Sequence, residues 1–315
     1  MKHKIFVDGQ VGTTGLKIFE RLSVRDDIEI LRIPDDKRKD IGERRKFLNQ
    51  ADIVFLCLPD DAAREAVSLI ANDHTRVIDA STAHRVLDSW TYGIPEFGDS
   101  QYEALRQSKR VCVPGCYATG FNMLMYPLVS GGIVPTDYPV TCHAISGYSG
   151  GGNGMIHDFE TNPQNGRTPA LYALGLNHKH MPEMQKYSKL EHAPMFMPIL
   201  GNYCQGMTVA VPLLLRRLKR RMTAASIAEF LAKFYDERQF VKVQAQAQSM
   251  DALENGRLYA DGCVGTNSIE LNVFGNDETV LVVSRLDNLG KGASGAAVQN
   301  MNIMLGMEES CGLQK

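Results

Sequence analysis

The chain has 315 residues, of which 44% are hydrophobic and 22% are charged, a composition typical of a folded globular protein long enough for two domains. The formal net charge is only -2, which gives no indication of a nucleic-acid surface, and no apolar run is long enough to span a bilayer. Because the first residues already form a strand pattern rather than a signal peptide, we expect a cytoplasmic protein.

The N-terminal third alternates between short apolar strands and helical segments. Strands are predicted at residues 4–7, 28–33, 51–58, 77–80 and 111–113. Helical spacing of apolar residues follows the first strand and recurs over residues 61–71. The run ADIVFLCL at 51–58 is apolar throughout, as expected of a strand buried on both faces of a parallel sheet. The alternation predicts an α/β fold with a Rossmann-type doubly wound parallel sheet.

From Cys116 onward the pattern changes to a long helix and longer strands. The helix is predicted over 117–129, and the later elements are strands at 140–146, 207–215, 268–276 and 278–286, a helix near 226–234 and a C-terminal helix over 293–307. Asn276-Asp277 is a plausible hairpin turn between the last two strands. We therefore predict an α+β domain with a mixed, largely antiparallel sheet over 116–286, and a first domain over 1–115 that is completed by 287–315.

Two segments of the second domain carry further predictions. The glycine-rich run at 147–154 (GYSGGGNG) is interpreted as a flexible loop that closes over substrate. Basic residues at 216–221 are interpreted as a solvated face at the start of a helix rather than as a nucleic-acid site.

A glycine triplet follows the first strand directly. Gly9, Gly12 and Gly15 form G-x-x-G-x-x-G immediately before a helix. Glycine permits positive φ and close approach of a pyrophosphate, while the helix N-terminus supplies N–H groups and partial positive charge. Thr13 and Thr14 can add hydroxyl groups. The pattern predicts a dinucleotide site, with a tight turn that binds no ligand as the alternative.

The end of the second strand bears on which dinucleotide binds. This strand leads into Arg32, basic residues follow at 37–39, and no acidic residue stands at its last positions. An acid there would hold a ribose 2′-hydroxyl, whereas a base favours a 2′-phosphate. The sequence therefore predicts NADP rather than NAD, unless Arg32 is an ordinary surface cation.

Seven cysteines are scattered along the chain without C-x-x-C pairs. This pattern argues against a disulfide framework and against zinc, and we predict no bound metal. Cys57, Cys142 and Cys263 lie within strand patterns and fit the role of buried, unreactive thiols.

Cys116 has a different context, because PGCYATG at 114–120 stands between a strand end and a helix. A helix N-terminus stabilises a thiolate and can also hold an oxyanion formed on the substrate. The segment NHKHMPE at 177–183 offers His178 and His180 on one side of an extended stretch as proton partners. A cysteine with a histidine is also typical of hydrolases, but the glycine loop, which implies a hydride donor, favours reduction.

Seven short segments stand in a distinctive order along the chain. They are GQVGTTG at 9–15, DAST-AHR at 79–85, YGIPE at 92–96, PGCYATG at 114–120, SGYSGGG at 146–152, NHKHMPEM at 177–184 and DNLGKGASGAAVQNMN at 287–302. Together they resemble the N-acetyl-γ-glutamyl-phosphate reductases of arginine biosynthesis, in particular the short form of that family, within the semialdehyde dehydrogenase superfamily. The resemblance covers nearly the whole chain.

This resemblance implies an oxidoreductase that uses NADPH to reduce N-acetyl-L-glutamyl 5-phosphate to N-acetyl-L-glutamate 5-semialdehyde and phosphate. Cys116 would form the thioester, and His180, with His178 as the other candidate, would be the acid/base. The first domain would bind NADP, and the second would carry catalysis and dimerisation in a homodimer or homotetramer. Further cofactor contacts are implied at Ser81, Asn288, Lys291 and Gly292. Substrate contacts are implied at Arg85, Tyr92, Glu96, Ser149, Gly150 and Glu183.

Two alternatives remain open from the sequence. One is the same chemistry on another acyl phosphate, such as aspartyl phosphate or a carrier-linked amino-adipyl phosphate. The other is a catalytically silent NADP-binding sensor in which Cys116 is a redox switch.

Overall fold

A computed structural model describes residues 2–162, 164–244, 249, 251 and 253–315. The chain divides into two compact units, Met1–Gly115 with Ala293–Gln314, and Cys116–Gly292 with Lys315. The C-terminal boundary therefore falls between residues 292 and 293 rather than at 287. No helix within the described ranges is both long and apolar enough to cross a membrane.

The first unit is built on a parallel sheet. Its strands are β1 (His3–Asp8), β2 (Ile28–Leu31), β3 (Ile53–Leu56), β4 (Arg76–Asp79), β5 (Thr91–Tyr92) and β6 (Arg110–Cys112). Its helices are α1 (Thr13–Ser23), α2 (Ile41–Gln50), α3 (Asp60–Leu69), α4 (Asp99–Gln107) and α9 (Gly295–Met304). The strand order is β2-β1-β3-β4-β6-β5, and each neighbouring pair is parallel. The predicted doubly wound parallel sheet is confirmed, and β3 is buried at every residue as its apolar run indicated.

Two helices of this unit were not predicted, because their apolar periodicity is weak. One of them, α2, is stabilised at its N-terminus by a capping residue. The Asp40 side chain accepts a hydrogen bond of 2.8 Å from the N–H of Glu43. The C-terminal helix α9 packs on α1, α4 and β4. Its Asn300 side chain donates to the carbonyl of Gly93 at 3.1 Å.

The second unit is built on a seven-stranded mixed sheet. Its strands are β7 (Thr141–Ser146), β8 (Ala170–Leu171), β9 (Met195–Leu200), β10 (Met207–Leu214), β11 (Val241–Val243), β12 (Ile269–Gly275) and β13 (Thr279–Leu286). Its helices are α5 (Cys116–Ser130), α6 (Gly152–Thr161), α7 (Met181–Ser188) and α8 (Ala224–Phe234). The order is β11-β12-β13-β10-β7-β9-β8, with β11/β12 and β7/β9 parallel and the other pairs antiparallel. Helix α5 packs on β10 and β13, and α8 packs on β12. The predicted mixed sheet is confirmed.

The hairpin prediction is also confirmed. The Asn276 side-chain oxygen accepts hydrogen bonds of 2.9 Å from the N–H groups of Glu278 and Thr279. This short polar turn joins β12 to β13, which pair along their whole length.

Three local predictions were wrong in detail. Residues 147–154 are not a loop, because Tyr148–Gly151 forms a 3₁₀ turn and α6 begins at Gly152, where a ring stack between Tyr148 and Phe159 holds the turn to the helix. The basic residues at 216–221 are exposed as expected but precede α8 rather than start it. The histidine segment is not extended, because His180 has helical φ and ψ and caps α7.

Candidate functional site

Cys116 is the first residue of α5, so the predicted position at a helix start is confirmed. Most of the residues that follow it in this helix are buried, whereas Cys116 itself is half-buried. The first-turn N–H groups of a helix have no partner inside the helix, and its N-terminus carries partial positive charge. The thiol is therefore accessible at the positive end of a rigid, buried helix.

Three other cysteines contrast with Cys116 in their surroundings. Burial raises the pKa of the Cys142 thiol, and burial with the nearby Asp79 and Asp8 carboxylates raises that of Cys57. Burial raises the pKa of Cys263 to about 11. These thiols stay protonated near neutral pH, which agrees with the structural role predicted for them.

A glycine packs directly on the catalytic candidate. A β-carbon built at Gly292 would lie 2.7 Å from the β-carbon of Cys116, so a larger residue cannot stand there without displacement. Gly292 belongs to a π-helical turn, Gly290–Ser294, a local geometry found frequently at functional sites. A β-carbon built at Gly120 would lie 2.7 Å from the side chains of Ser284 and Val209. That glycine allows α5 to approach the sheet.

The two histidines meet beside the start of α5. Their ring centroids lie 4.6 Å apart, with the planes nearly perpendicular. The Tyr117 ring centroid lies 5.6 Å from that of His178 and 5.9 Å from that of His180. The backbone N–H of His180 donates to Nδ1 of His178 at 3.1 Å, so the neutral His178 ring carries its hydrogen on Nε2. His180 is buried and His178 is half-buried.

Two tyrosines join this group, and sequence reasoning missed both because no local signal marks them. The Tyr172 hydroxyl lies 2.9 Å from the Tyr117 hydroxyl. Burial, with the neighbouring Tyr172 and the charge of an ionised Cys116, raises the pKa of Tyr117. Burial also raises the pKa of Tyr172 to about 12. Both phenols therefore remain protonated at neutral pH, and the Tyr172 hydroxyl donates its hydrogen to the Tyr117 oxygen.

The glycine loop has the backbone that its sequence predicts. Gly9 has φ of +91°, and a β-carbon there would lie 2.2 Å from the Cys57 carbonyl oxygen. A β-carbon at Gly15 would lie 2.4 Å from the carbonyl oxygen of Gly9. Gly12 precedes α1 and has an extended backbone. The first turn of α1, which begins with Thr13 and Thr14, contains no acidic residue. The loop is thus a close-packed cradle at a helix N-terminus, which fits the pyrophosphate of a dinucleotide.

Arg32 follows β2 and is exposed. Its guanidinium carbon lies 4.6 Å from the centroid of the Phe19 ring, a cation–π arrangement that restricts the side chain. The arginine therefore stands at the carboxyl end of the strand beside β1, where the adenosine ribose of a dinucleotide is recognised in this fold class.

The remaining predicted residues of the first unit make internal contacts. The Ser81 hydroxyl donates to Asp79 at 2.7 Å, and Nη2 of Arg85 donates to the Ala80 carbonyl at 3.1 Å. Tyr92 lies buried in β5. Glu96 is 2% exposed and accepts a hydrogen bond of 2.8 Å from Gln299 of α9. The structure thus ties Glu96 to the packing of α9.

Asn288 is the centre of a polar group that includes two other predicted residues of the second unit, Ser149 and Gly150. The Asn288 side chain donates to the Ser149 hydroxyl at 2.9 Å and accepts from the N–H of Gly206 at 2.8 Å. A β-carbon at Gly150 would stand 3.5 Å from the Asn288 amide nitrogen. Lys291 is buried, with its ammonium group 5.7 Å from the centroid of Phe240.

Glu183 lies buried in the first turn of α7, where its carbonyl accepts from Asn122 of α5 at 3.4 Å. The second unit therefore brings together Cys116, Gly292, both tyrosines and both histidines. The glycine loop, Arg32, Ser81, Arg85, Tyr92 and Glu96 belong to the first unit.

Sequence profiles of two protein families match this chain. The profile described as "Semialdehyde dehydrogenase, NAD binding domain" matches residues 4–105, and that described as "Semialdehyde dehydrogenase, dimerisation domain" matches residues 116–288.

Curated proteins are similar over nearly the whole chain. N-acetyl-gamma-glutamyl-phosphate reductase 2 of Nostoc sp. is 47% identical over 99% of both chains. N-acetyl-gamma-glutamyl-phosphate reductase of Chelativorans sp. is 49% identical over 97% of this chain and 99% of its own. Among solved structures, aspartate semialdehyde dehydrogenase from Francisella tularensis has a TM-score of 0.73 at 14% identity, covering 97% of this chain and 100% of its own. That last likeness supports the fold alone.

Proposed function

The chain belongs to the N-acetyl-γ-glutamyl-phosphate reductase family of semialdehyde dehydrogenases, and we propose that it reduces N-acetyl-L-glutamyl 5-phosphate to N-acetyl-L-glutamate 5-semialdehyde and phosphate with NADPH, a step of arginine biosynthesis. The observation that carries the proposal is Cys116 at the first position of α5, with two histidines grouped around the adjacent tyrosine.

The first half of the reaction forms a thioester. The start of α5 stabilises the Cys116 thiolate, which attacks the acyl carbon of the substrate. First-turn N–H groups of the same helix stabilise the oxyanion of the tetrahedral intermediate. As that intermediate collapses, the bond to phosphate breaks, phosphate leaves, and the acyl group stays on the sulfur. One of the histidines accepts the thiol proton at the outset.

The second half converts the thioester to an aldehyde. A reduced nicotinamide, when bound, supplies the hydride that lowers the acyl carbon to the aldehyde oxidation level. The histidine that took the thiol proton donates it to the resulting oxyanion, which gives the thiohemiacetal. His180 then accepts that hydroxyl proton as the carbon–sulfur bond breaks, which releases the aldehyde and returns Cys116 to the thiolate. The buried ring of Tyr117 and the half-buried Tyr172 limit water beside the sulfur, which protects the thioester from hydrolysis.

Residues of the first unit would hold the cofactor. We assign the pyrophosphate to the loop from Gly9 to Gly15, with Thr13 and Thr14 at the start of α1. The adenosine 2′-phosphate would pair with the Arg32 guanidinium, which Phe19 holds at 4.6 Å. Because a phosphate dianion gains more from an arginine than a hydroxyl does, this side chain favours NADPH over NADH.

Replacing Arg32 with alanine is expected to raise the KM for NADPH by roughly 10- to 100-fold, since one charge-assisted contact contributes roughly 1.5–3 kcal/mol. The KM for NADH should change little, because NADH has no phosphate there. Steady-state kinetics of both proteins with both cofactors measure the shift. Arg106→Ala, at an exposed arginine of α4 in the same unit, is the matched control. Equal effects on NADPH and NADH, or a native preference for NADH, would contradict the assignment.

The substrate assignment is tested with the unmodified protein in the reverse direction. We expect phosphate-dependent reduction of NADP⁺ with N-acetyl-L-glutamate 5-semialdehyde and a much lower kcat/KM with aspartate 4-semialdehyde. A preference for aspartate 4-semialdehyde would mean that the substrate is aspartyl phosphate, reduced by the same mechanism. Binding of NADPH without turnover of either semialdehyde would favour the sensor alternative.

We also propose a homo-oligomer, with residues 116–288 as the contact region, because that segment matches a dimerisation domain. One face of its sheet carries half-exposed or exposed apolar residues. Leu281 of β13, opposite Pro212 of β10, exposes 37% of its surface. Pairing this face with its copy would bury these side chains. Analytical ultracentrifugation should give the mass of a dimer or a tetramer, and a monomer at micromolar concentration would refute this part.

A further inference from the structure

The end of β1 carries a buried acidic side chain immediately before the glycine loop. Asp8 is the last residue of β1, is 5% exposed and directly precedes Gly9. Its carbonyl accepts the N–H of Cys57 at 2.8 Å, which ties this end of β1 to the end of β3. A carboxylate at this place needs an explanation, because the loop that follows it is the assigned site of an anion, the pyrophosphate of the cofactor.

Arg44 of α2 pairs with this carboxylate. Its Nε and Nη2 donate to Oδ2 of Asp8 at 3.2 and 3.0 Å. Arg44 is itself 7% exposed, so both charges of the pair are largely removed from water. The third nitrogen, Nη1, donates to Oε2 of Glu65 in α3 at 2.7 Å. Two helices and the end of β1 therefore fix the position of one guanidinium group.

Arg44 compensates the charge of Asp8. Burial raises the pKa of Asp8, and the hydrogen bond and positive charge of Arg44 act against that rise. Removing one partner of a buried ion pair leaves the other charge uncompensated, which destabilises more than replacing both partners. Without Arg44, an ionised Asp8 would be a bare negative charge at the entrance to the glycine loop.

The loop packs directly on the residue that follows Asp8. A β-carbon at Gly15, in the first turn of α1, would lie 2.4 Å from the carbonyl oxygen of Gly9. The N–H of Gly12 donates to the same oxygen at 3.1 Å. Consecutive α-carbons are about 3.8 Å apart, and the Debye length is about 8 Å at physiological salt. The charge of Asp8 therefore acts on an anion at the start of α1 with little screening.

We propose that Arg44 is a positioning residue for the cofactor, because it neutralises and orients the Asp8 carboxylate so that no opposing charge faces the pyrophosphate. This inference rests on the proposed function. NADPH and NADH share the pyrophosphate, so Arg44 acts on the binding of both cofactors. Arg32, in contrast, acts on the 2′-phosphate of NADPH alone.

Arg44→Met tests the proposal, since methionine keeps an unbranched side chain and removes the charge. The Kd values for NADPH and for NADH should each rise by roughly 10-fold, the size expected for one unit charge at about 10 Å with an effective dielectric constant of about 20. The value of kcat at saturating NADPH should change by less than about 3-fold. The matched control is Arg106→Met, which breaks an exposed arginine–glutamate pair of α4 in the same unit and should leave both Kd values unchanged.

Asp8→Asn separates charge repulsion from a structural fault. Asparagine keeps the size of the side chain and an oxygen that can accept from Arg44, but it has no charge. In the double variant Asp8→Asn/Arg44→Met, the Kd for NADPH should return to within about 3-fold of the native value, because neither charge remains. A structural fault predicts the opposite, since the second substitution would remove a further contact and weaken binding more.

Inorganic pyrophosphate gives a readout that does not depend on turnover. As a competitor of NADPH binding, it should have an inhibition constant that is roughly 10-fold higher in Arg44→Met and near the native value in the double variant, for the same electrostatic reason. Thermal unfolding of each variant shows whether the fold survives.

If Arg44→Met fails to fold, Arg44→Lys keeps the positive charge and should hold the Kd for NADPH within about 3-fold of the native value. Three results would overturn the role of Arg44 while the proposed function stands: unchanged Kd values in folded Arg44→Met, a loss of affinity that Asp8→Asn does not restore, or a loss of 10-fold or more in folded Arg44→Lys. A native protein that binds neither NADPH nor NADH would overturn both.

Discussion

Cys116→Ser is expected to lower kcat by about 10³-fold or more, the scale seen when a covalent nucleophile is removed. A serine hydroxyl ionises far less readily than a thiol, and the partial charge of a helix start cannot offset that difference. The side chain is half-buried at the start of α5, and serine is nearly isosteric with cysteine. The fold and the affinity for NADPH should therefore be preserved.

Three measurements separate loss of chemistry from loss of structure. Steady-state kinetics give kcat, thermal unfolding gives stability, and the change in NADPH fluorescence on binding gives cofactor affinity. Cys204→Ser, at an exposed cysteine of the same unit, serves as the control and should retain full turnover. Mass spectrometry of the unmodified protein mixed with acyl phosphate, without NADPH, should detect an acyl adduct on residue 116.

Near-normal turnover of the Cys116→Ser variant would rule out a covalent mechanism through Cys116. Alkylation gives an independent check, since iodoacetamide should modify Cys116 quickly at neutral pH and Cys142 hardly at all, given the raised pKa of that buried thiol. A sluggish Cys116 with intact NADPH binding would support the sensor instead.

His180→Asn is expected to lower kcat by roughly 10²–10⁴-fold, the usual contribution of a general acid or base. Asparagine retains hydrogen-bonding ability but cannot gain or lose a proton near neutral pH, so affinity for NADPH should be unchanged. His180 caps α7, and its side chain makes no cap hydrogen bond there, so the helix should persist.

His178→Asn is expected to be the milder change. The side-chain oxygen of the introduced asparagine can accept the His180 N–H, which Nδ1 of His178 accepts in the native chain at 3.1 Å. The turn that places His180 is then retained, although the contacts of the His178 ring with Tyr117 and Phe196 are lost. His192→Asn, at an exposed residue of the loop between α7 and β9, controls for the substitution. A larger kcat loss in His178→Asn than in His180→Asn would transfer the acid/base role to His178.

Much of the fold was predictable because its signals are local. A continuous apolar run identified β3, and the alternation of strands with helices indicated a parallel sheet. Short or weakly patterned elements escaped prediction: β5 and β8 have two residues each, too few to show a periodicity. The glycine-rich run at 147–154 was assigned to a loop from composition, but the stack of Tyr148 on Phe159 adds a contact that composition cannot show.

Local sequence was sufficient to predict the glycine cradle after β1 and the placement of Cys116 at a helix start, because each depends on the backbone preferences of a few adjacent residues. Three-dimensional packing was needed to show that Gly292 contacts Cys116, that Tyr172 meets Tyr117, and that Arg44 pairs with Asp8. Contacts of this kind are fixed by how helices, strands and turns pack, and side chains distant in sequence meet only when the core brings their elements together.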